Sequence, residues 1–255
     1  MCLILFAYQY HPRYHLVLAA NRDEFYARPT APLDYWPDHP EVLAGRDLEQ
    51  QGTWLGVGRQ GRLAAITNYR DPKSIKANAP SRGHLVSDFL TGTLHPEEYL
   101  QQIGESAGHY NGFNLLVGDA DSLFYFSNRG GPPQELKPGL YGISNHLLDT
   151  DWPKIYRGKQ ALSQVLAQEQ DLSPEKLFLL MQDQTVAPDN QLPDTGIARD
   201  WEAVLSAIFI TSPHYGTRSS SVVLIDKDGR VGFDERTWKP ARASPHAEDT
   251  RHFQF

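Results

Sequence analysis

The chain has 255 residues, 40% of them apolar and 22% charged, with a net charge of −7. That length can bury a sizeable core, and the balance is that of a soluble globular protein with no basic excess for nucleic acid or an anionic lipid surface. A single cysteine, Cys2, excludes an internal disulfide and a cysteine-rich zinc site.

The apolar run from Cys2 to Tyr8 has no basic segment before it and passes into Gln9, Tyr10, His11, Pro12 and Arg13. It reads as a strand rather than a signal peptide, and no stretch approaches the length of a membrane span. A cytoplasmic location is the default expectation. Residues 3–9 and 15–20 form a predicted hairpin around HPRYH, with His11 and His15 facing solvent. Residues 53–58 and 62–67 form a second hairpin, turning at Arg59, Gln60 and Gly61. Residues 72–82 are a polar loop. Helices are predicted from near Gly83 to before Gly92, and from Pro96 to about Ala107, the second with proline and acids in its first turn. Strands follow at 113–118, 122–127 and 140–144. The spacing of Ile155, Leu162 and Val165 predicts a helix over 153–168. Ser173 caps another over 174–183. Residues 184–199 read as a long loop, residues 206–211, 220–226 and 230–235 as strands, and the tail from 239 as polar and loosely held. Paired β-runs around a central helical block predict one α+β domain over 1–255, with mainly antiparallel sheets. The five tryptophans, at 36, 54, 152, 201 and 238, are expected in the core or lining a pocket.

Polar residues cluster where these strands are expected to end: Asn21, Arg22, Asp23 and Glu24; Asn68, Tyr69 and Arg70; Asn145; and Arg218 within TSPHYGTRSSS. Loops on rigid elements are where catalytic groups collect. A thiol at position 2 adds a special chemistry. Once Met1 is removed, the sulfur and a free α-amino group share one residue. That amine titrates at about pH 8, well below lysine, and can act as a general base. Arg22 or Arg218 would favour the thiolate, and Asp23 would hold the ammonium or an arginine. A carboxamide N–H from Asn68 or Asn145 would stabilise an oxyanion, an interaction whose loss costs about 3 kcal/mol. A plainer reading stands beside each residue. Composition alone favours Cys2 as a buried strand residue, Asn68 and Asn145 serve as turn or cap residues, Arg218 pairs with a surface acid, and YGTRSSS also resembles a small anion-binding nest. Glu24 is read as structural. The ten histidines hold no HExxH pattern, His146 is read as structural, and no metal or cofactor is expected. Gly56 and Gly58 lack the further glycine and the following helix of a dinucleotide loop.

MCLILFAY, NRDEF, AGRDLEQQGTWLGV, ITNYRDP, SRG, NLLVGD, YGISNHLLDTDWPK and YGTRSSSVVLI, in this order, resemble the NRDE proteins of the transport and Golgi organisation family. Gln51 stands where that family usually has a second glycine before Gly52. The family is similar to the N-terminal-nucleophile hydrolases of the choloylglycine hydrolase and penicillin acylase type. The resemblance implies a four-layer αββα sandwich and a cysteine exposed by loss of the methionine. It assigns Cys2 as nucleophile, Arg22 and Arg218 as the site arginines, Asp23 as the nearby acid, and Asn68 and Asn145 as the oxyanion donors. The spacing around Asp23 differs from that group. Three functions follow as expectations. The first is hydrolysis of a linear amide bond through Cys2. The second is binding of haem or a lipid-like acyl ligand on the same scaffold. The third is a trafficking role played through the surface.

Overall fold

The computed structural model describes residues 2–58, 61–168, 170–239 and 246–255. In chain order its elements are β1 (Cys2–Tyr8), β2 (Tyr14–Phe25), β3 (Thr30–Tyr35), β4 (Val42–Asp47), β5 (Leu55–Gly58), β6 (Leu63–Asn68), α1 (His84–Thr91), α2 (Pro96–Ser106), β7 (Phe113–Gly118), β8 (Leu123–Ser127), β9 (Gln134–Glu135), β10 (Gly139–Ile143), α3 (Pro153–Gln168), α4 (Pro174–Leu180), α5 (Arg199–Val204), β11 (Tyr215–Asp226), β12 (Val231–Lys239) and β13 (His246–Gln254). The class is α+β, with two antiparallel sheets. The sequence reads as one domain. The backbone divides into two compact units, the second being residues 28–136 with 145–147 and the first the remainder.

The first unit holds a six-stranded sheet in the order β10-β1-β2-β11-β12-β13. β1 and residues 16–20 of β2 are apolar without alternation because both of their faces are buried. One face packs Leu3, Leu5, Ala7, Val17 and Ala19 against Ile155, Leu162 and Leu166 of α3 and Leu177 and Phe178 of α4. Gly158 lets α3 approach closely: a Cβ there would meet Leu5 Cδ1 at 2.5 Å. Ser173 caps α4, its hydroxyl accepting from the Glu175 N–H at 3.3 Å.

The second unit holds a seven-stranded sheet in the order β3-β4-β5-β6-β7-β8-β9. Apolar residues of α1 and α2, among them Leu85, Phe89 and Leu100, pack on Ala64, Ile66, Leu115 and Val117. Arg62 closes the C-terminal end of α1. Its guanidinium donates to the carbonyls of Phe89 and Leu94 and lies over the Phe89 ring at 3.8 Å.

Several expectations are corrected. The strand expected to stop at residue 20 runs on to Phe25, so Asn21–Asp23 lie inside β2. Its polar residues keep strand geometry because β11 pairs them through to Phe25. Residues 206–211 form no strand; α5 and a series of turns lead to an isolated bridge at Thr211. β3 and β4 fall in a stretch where the sequence pattern predicts no elements. The tail forms β13 on β12 from residue 246, while residues 240–245 lie outside the described residues. So do Arg59 and Gln60 of the predicted turn. His11 is 3% exposed rather than solvent-facing, and its Nδ1 accepts from the Arg13 N–H at 3.2 Å. His15 is half-buried, edge-on to Tyr8. Trp201 is exposed, unlike Trp36, Trp152 and Trp238.

Candidate functional site

In the first unit the register sets the site. Cys2 on β1 lies directly opposite Arg22 on β2, and Arg22 directly opposite Ser219 on β11. Directly paired residues project to the same side of a sheet. Cys2, Arg22 and Ser219 therefore form one row, on the face opposite the helices. Asn21 and Asp23 alternate with Arg22 and turn to the helix-covered face. There the Asn21 carboxamide donates to the carbonyls of Met181 and Ile208 and accepts from the Ser220 hydroxyl.

Asp23 is 1% exposed. Its Oδ1 accepts from the Thr217 hydroxyl at 2.7 Å, and that hydroxyl accepts from the Ile210 N–H at 2.9 Å. Tyr215 donates its phenol to the Asp23 carbonyl at 3.0 Å. Burial pushes the carboxyl up to about 6, against the pull of the Lys154 ammonium and the Thr217 hydrogen bond. Lys154 is itself buried and donates to the Leu205 carbonyl at 2.9 Å.

Burial also pushes the Cys2 thiol up, with the charge of Asp23 acting in the same sense. The Arg22 guanidinium and the Asp23 backbone N–H oppose it. The Arg22 charge acts toward the thiolate, the direction the sequence predicts for a neighbouring arginine, while burial acts against it. Arg22 is 6% exposed. Arg218 sits at a register shift between Thr217 and Ser219 and donates to the Phe25 carbonyl at 2.9 Å. Its pKa is lowered by burial and by the neighbouring Arg22 charge, while Glu24, Tyr26 and Glu248 act the other way. Glu24 accepts from the Phe25 N–H at 2.8 Å, in line with its structural reading.

The second unit brings Asn68 and Asn145 together. Asn145 is fully buried, donates from Nδ2 to the Asn68 carbonyl at 2.9 Å, and accepts a backbone bond from Arg70 at 2.8 Å. The Arg70 guanidinium donates to Asn145 Oδ1 at 3.4 Å. His146 is a structural neighbour. Its carbonyl accepts from Asn114, its ring lies 4.9 Å from that of Tyr69, and burial lowers its pKa.

The sequence analysis names Arg70 and the stretch that holds Thr217 and Ser219 among its polar clusters but gives them no role, and it does not single out Lys154; their partners come from distant strands and loops. Among the described residues no group of three or more His, Cys, Asp and Glu is placed to hold a metal. No described helix is long and apolar enough to cross a membrane.

Residues 1–240 match the family described as Transport and Golgi organisation 2. The human Transport and Golgi organization protein 2 homolog is 38% identical over 275 residues, covering 100% of this chain and 99% of that protein. The Bos taurus homolog is 40% identical over 257 residues and 93% of each chain. The Drosophila melanogaster protein is 30% identical over 97% of this chain and 95% of its own. Among solved structures, a mutant conjugated bile acid hydrolase from Clostridium perfringens aligns with TM-score 0.50 at 9% identity, over 100% of this chain and 97% of that one. A Caenorhabditis elegans ortholog of N-acylethanolamine-hydrolyzing acid amidase aligns with TM-score 0.50 at 9% identity, over 88% and 92%. At such identity the likeness is one of fold.

Proposed function

The chain belongs to the Transport and Golgi organisation 2 family, and from that premise we propose that it is a cysteine hydrolase of linear amide bonds, acting through Cys2. The observation that carries the reading is the register that sets Cys2 against Arg22, with the buried Asp23 network one residue further along β2.

Removal of Met1 frees the α-amino group of Cys2. The amine takes the thiol proton, and the sulfur attacks the amide carbonyl carbon. The tetrahedral adduct collapses as its C–N bond breaks, and the leaving nitrogen takes the proton back from the ammonium. Water, deprotonated by the same amine, then cleaves the thioester to a carboxylic acid and restores the thiol. In this scheme Arg22 acts against the desolvation of the thiolate, and Arg218 keeps the site-arginine role that the resemblance assigns to it. Asp23 holds the ammonium in place. Asn68 and Asn145 keep the oxyanion role that the resemblance assigns to them. The ligand is a small amide or acyl compound.

The test is intact mass of protein made in cells, followed by release of aminocoumarin from acyl-aminocoumarin amides. We expect a chain lacking Met1, an acyl adduct on Cys2 when the reaction is quenched, and no turnover by Cys2→Ala. A retained Met1 with no adduct and no turnover overturns the reading.

A second reading, a carrier of an acyl ligand, lipid or haem that binds on the same scaffold without turnover, is favoured by the burial of the Cys2 thiol, which opposes its ionisation. Binding that survives Cys2→Ala favours the carrier.

A further inference from the structure

β10 is an edge strand of the first unit's sheet, and β1 pairs with only one of its two sides. In an antiparallel strand, successive residues turn their N–H and carbonyl to alternate sides. Gly142 turns its own outward. Its N–H donates to Asp149 Oδ1 at 2.8 Å, and its carbonyl accepts from the Asp149 N–H at 2.8 Å. Asp149 thus stands where one residue of a further strand would stand. It holds φ at +54°, a left-handed conformation uncommon outside glycine, and the Lys159 ammonium donates to the same Oδ1 at 2.8 Å. Two residues earlier, Leu140 turns its N–H and carbonyl to the same side, and no group among the described residues meets them. One more step along the edge brings Pro138, which has no N–H to offer.

Beside Leu140 lies a cleft of about 290 Å³, close to the lower end of the sizes found for small-ligand sites. Leu140 and Ile155 line it with apolar carbon, and Tyr156, Lys159 and Ser163 of α3 add polar tips. Tyr156 is 58% exposed, and its hydroxyl accepts from Gln160 Nε2 at 2.8 Å. The Leu140 side chain packs on the helix-side core. A residue paired directly with Leu140 would project its own side chain to that same side, toward α3 and into the cleft. The edge therefore offers one donor, one acceptor and one place for a side chain.

We propose that this cleft binds a single apolar residue flanked by two amides, a dipeptide-sized ligand that pairs with Leu140 as one rung added to β10. The ligand residue donates its N–H to the Leu140 carbonyl and accepts from the Leu140 N–H. Its side chain covers Leu140, Ile155 and the Tyr156 ring. A longer strand is disfavoured, because Asp149 occupies the next place along the edge and Pro138 cannot donate at the one before. The site is separate from Cys2. Leu140 pairs with Ala7, which stands about 17 Å along β1 from Cys2 and on the helix-covered face. The proposal does not rest on the hydrolase reading.

The probe is N-acetyl-leucine N-methylamide, titrated onto the full chain and followed by backbone amide NMR. The Leu140 amide signal should move and its hydrogen exchange should slow, with a Kd on the order of a millimolar for a ligand of this size. The analogue methylated on the leucine nitrogen keeps the bulk but has no N–H for the Leu140 carbonyl. It should bind about tenfold more weakly. N-acetyl-glycine N-methylamide, which lacks the side chain, should also bind about tenfold more weakly. Tyr156→Ala changes an exposed helix position; it should melt as the wild type does and bind the leucine probe several-fold more weakly. No shift at Leu140 overturns the site, and so does unchanged affinity in Tyr156→Ala. Equal binding of the leucine probe and its N-methyl analogue overturns the backbone pairing, and this comparison needs no variant.

Two further arms identify the ligand and the place. A blocked pentapeptide with leucine at its centre should bind no more tightly than the short probe. Much tighter binding would mean addition of a whole strand and overturns the dipeptide-sized ligand. Cys2→Ala should bind the probe as the wild type does. Loss of binding in that variant places the probe at the thiol and overturns the separate site. Binding at Leu140 without any amide turnover removes the hydrolase reading and keeps this one, and turnover without binding at Leu140 does the reverse.

Discussion

Asp23 places an ionisable group where water does not reach, and its consequence for stability has a definite sign. Its carboxyl titrates at about 6 in the folded chain, against 3.8 as the ordinary value. Between those two pH values the folded state holds a proton that the unfolded state has released. Stability therefore falls as pH rises from about 4 to about 6, and the deficit persists above that. A tenfold change in proton affinity is worth about 1.4 kcal/mol, so the deficit is on the order of 3 kcal/mol. Asp23→Asn keeps an acceptor for the Thr217 hydroxyl and removes the charge. We expect it to stabilise the chain by about 2–3 kcal/mol at pH 7.5 and by almost nothing at pH 4, read from urea unfolding at both pH values. The same variant should lose the amide turnover proposed above, an instance of stability given up for function. A gain at pH 4 as large as that at pH 7.5 would assign the effect to packing rather than charge. The candidacy of Asp23 was legible in NRDE as an acid within a polar cluster. Its burial was not, because nothing local reveals that Thr217 and Tyr215, almost two hundred residues away, would enclose it.

At the scale of elements, the hydrophobic period placed α3 well. Ile155, Leu162 and Leu166 lie on its buried face, and Pro153 begins it. The period says nothing of how close the helix comes to its sheet. Gly158 sets that distance, facing the Leu5 side chain. In an ordinary exposed helix, alanine for glycine would stabilise by up to about 1 kcal/mol. Here the added methyl would lie between 2.5 and 3.3 Å from three Leu5 carbons. We expect Gly158→Ala to destabilise by about 1–3 kcal/mol, with the melting temperature falling by a few degrees. Leu5→Ala in the same chain should recover part of that loss. The misread elements share one cause. β2 continues through Asn21, Arg22 and Asp23 although such residues ordinarily favour turns, because pairing with β11 satisfies their backbone. Residues 206–211 look like a strand by composition but have no neighbour to pair with beyond one bridge at Thr211.

At the scale of the whole chain, pairing joins distant parts of the sequence. Ile4 faces Ile143 and Ala20 faces Ser221. β11 lies between β2 and β12, so it cannot be removed without opening the middle of its sheet. A chain ending at residue 214 would leave the twelve residues of β2, nine of them buried and six of those apolar, as a bare edge. Such an edge templates association, and we expect that truncation to be recovered as aggregate. Among the described residues, a chain ending at Lys239 loses only the mostly exposed terminal strand β13 and Phe255. It should remain soluble and monodisperse in size-exclusion chromatography, with a lower melting temperature. Soluble, cooperatively melting protein from the shorter chain would show that β2 does not depend on β11.

The sequence by itself determined the α+β class, most helices and hairpins, and which polar residue types stand as candidates alongside the thiol at position 2. These follow from short-range periodicity and from chemistry that needs particular side chains. The tertiary structure decided which face of the sheet each of those residues occupies, which of them are buried, and that a serine unremarkable in sequence stands in the row with Cys2. Strand register couples residues about two hundred positions apart, and a shift of one residue sends a side chain to the opposite face. Burial and the pKa values that follow from it depend on what packs above that face, which no local stretch of the chain encodes.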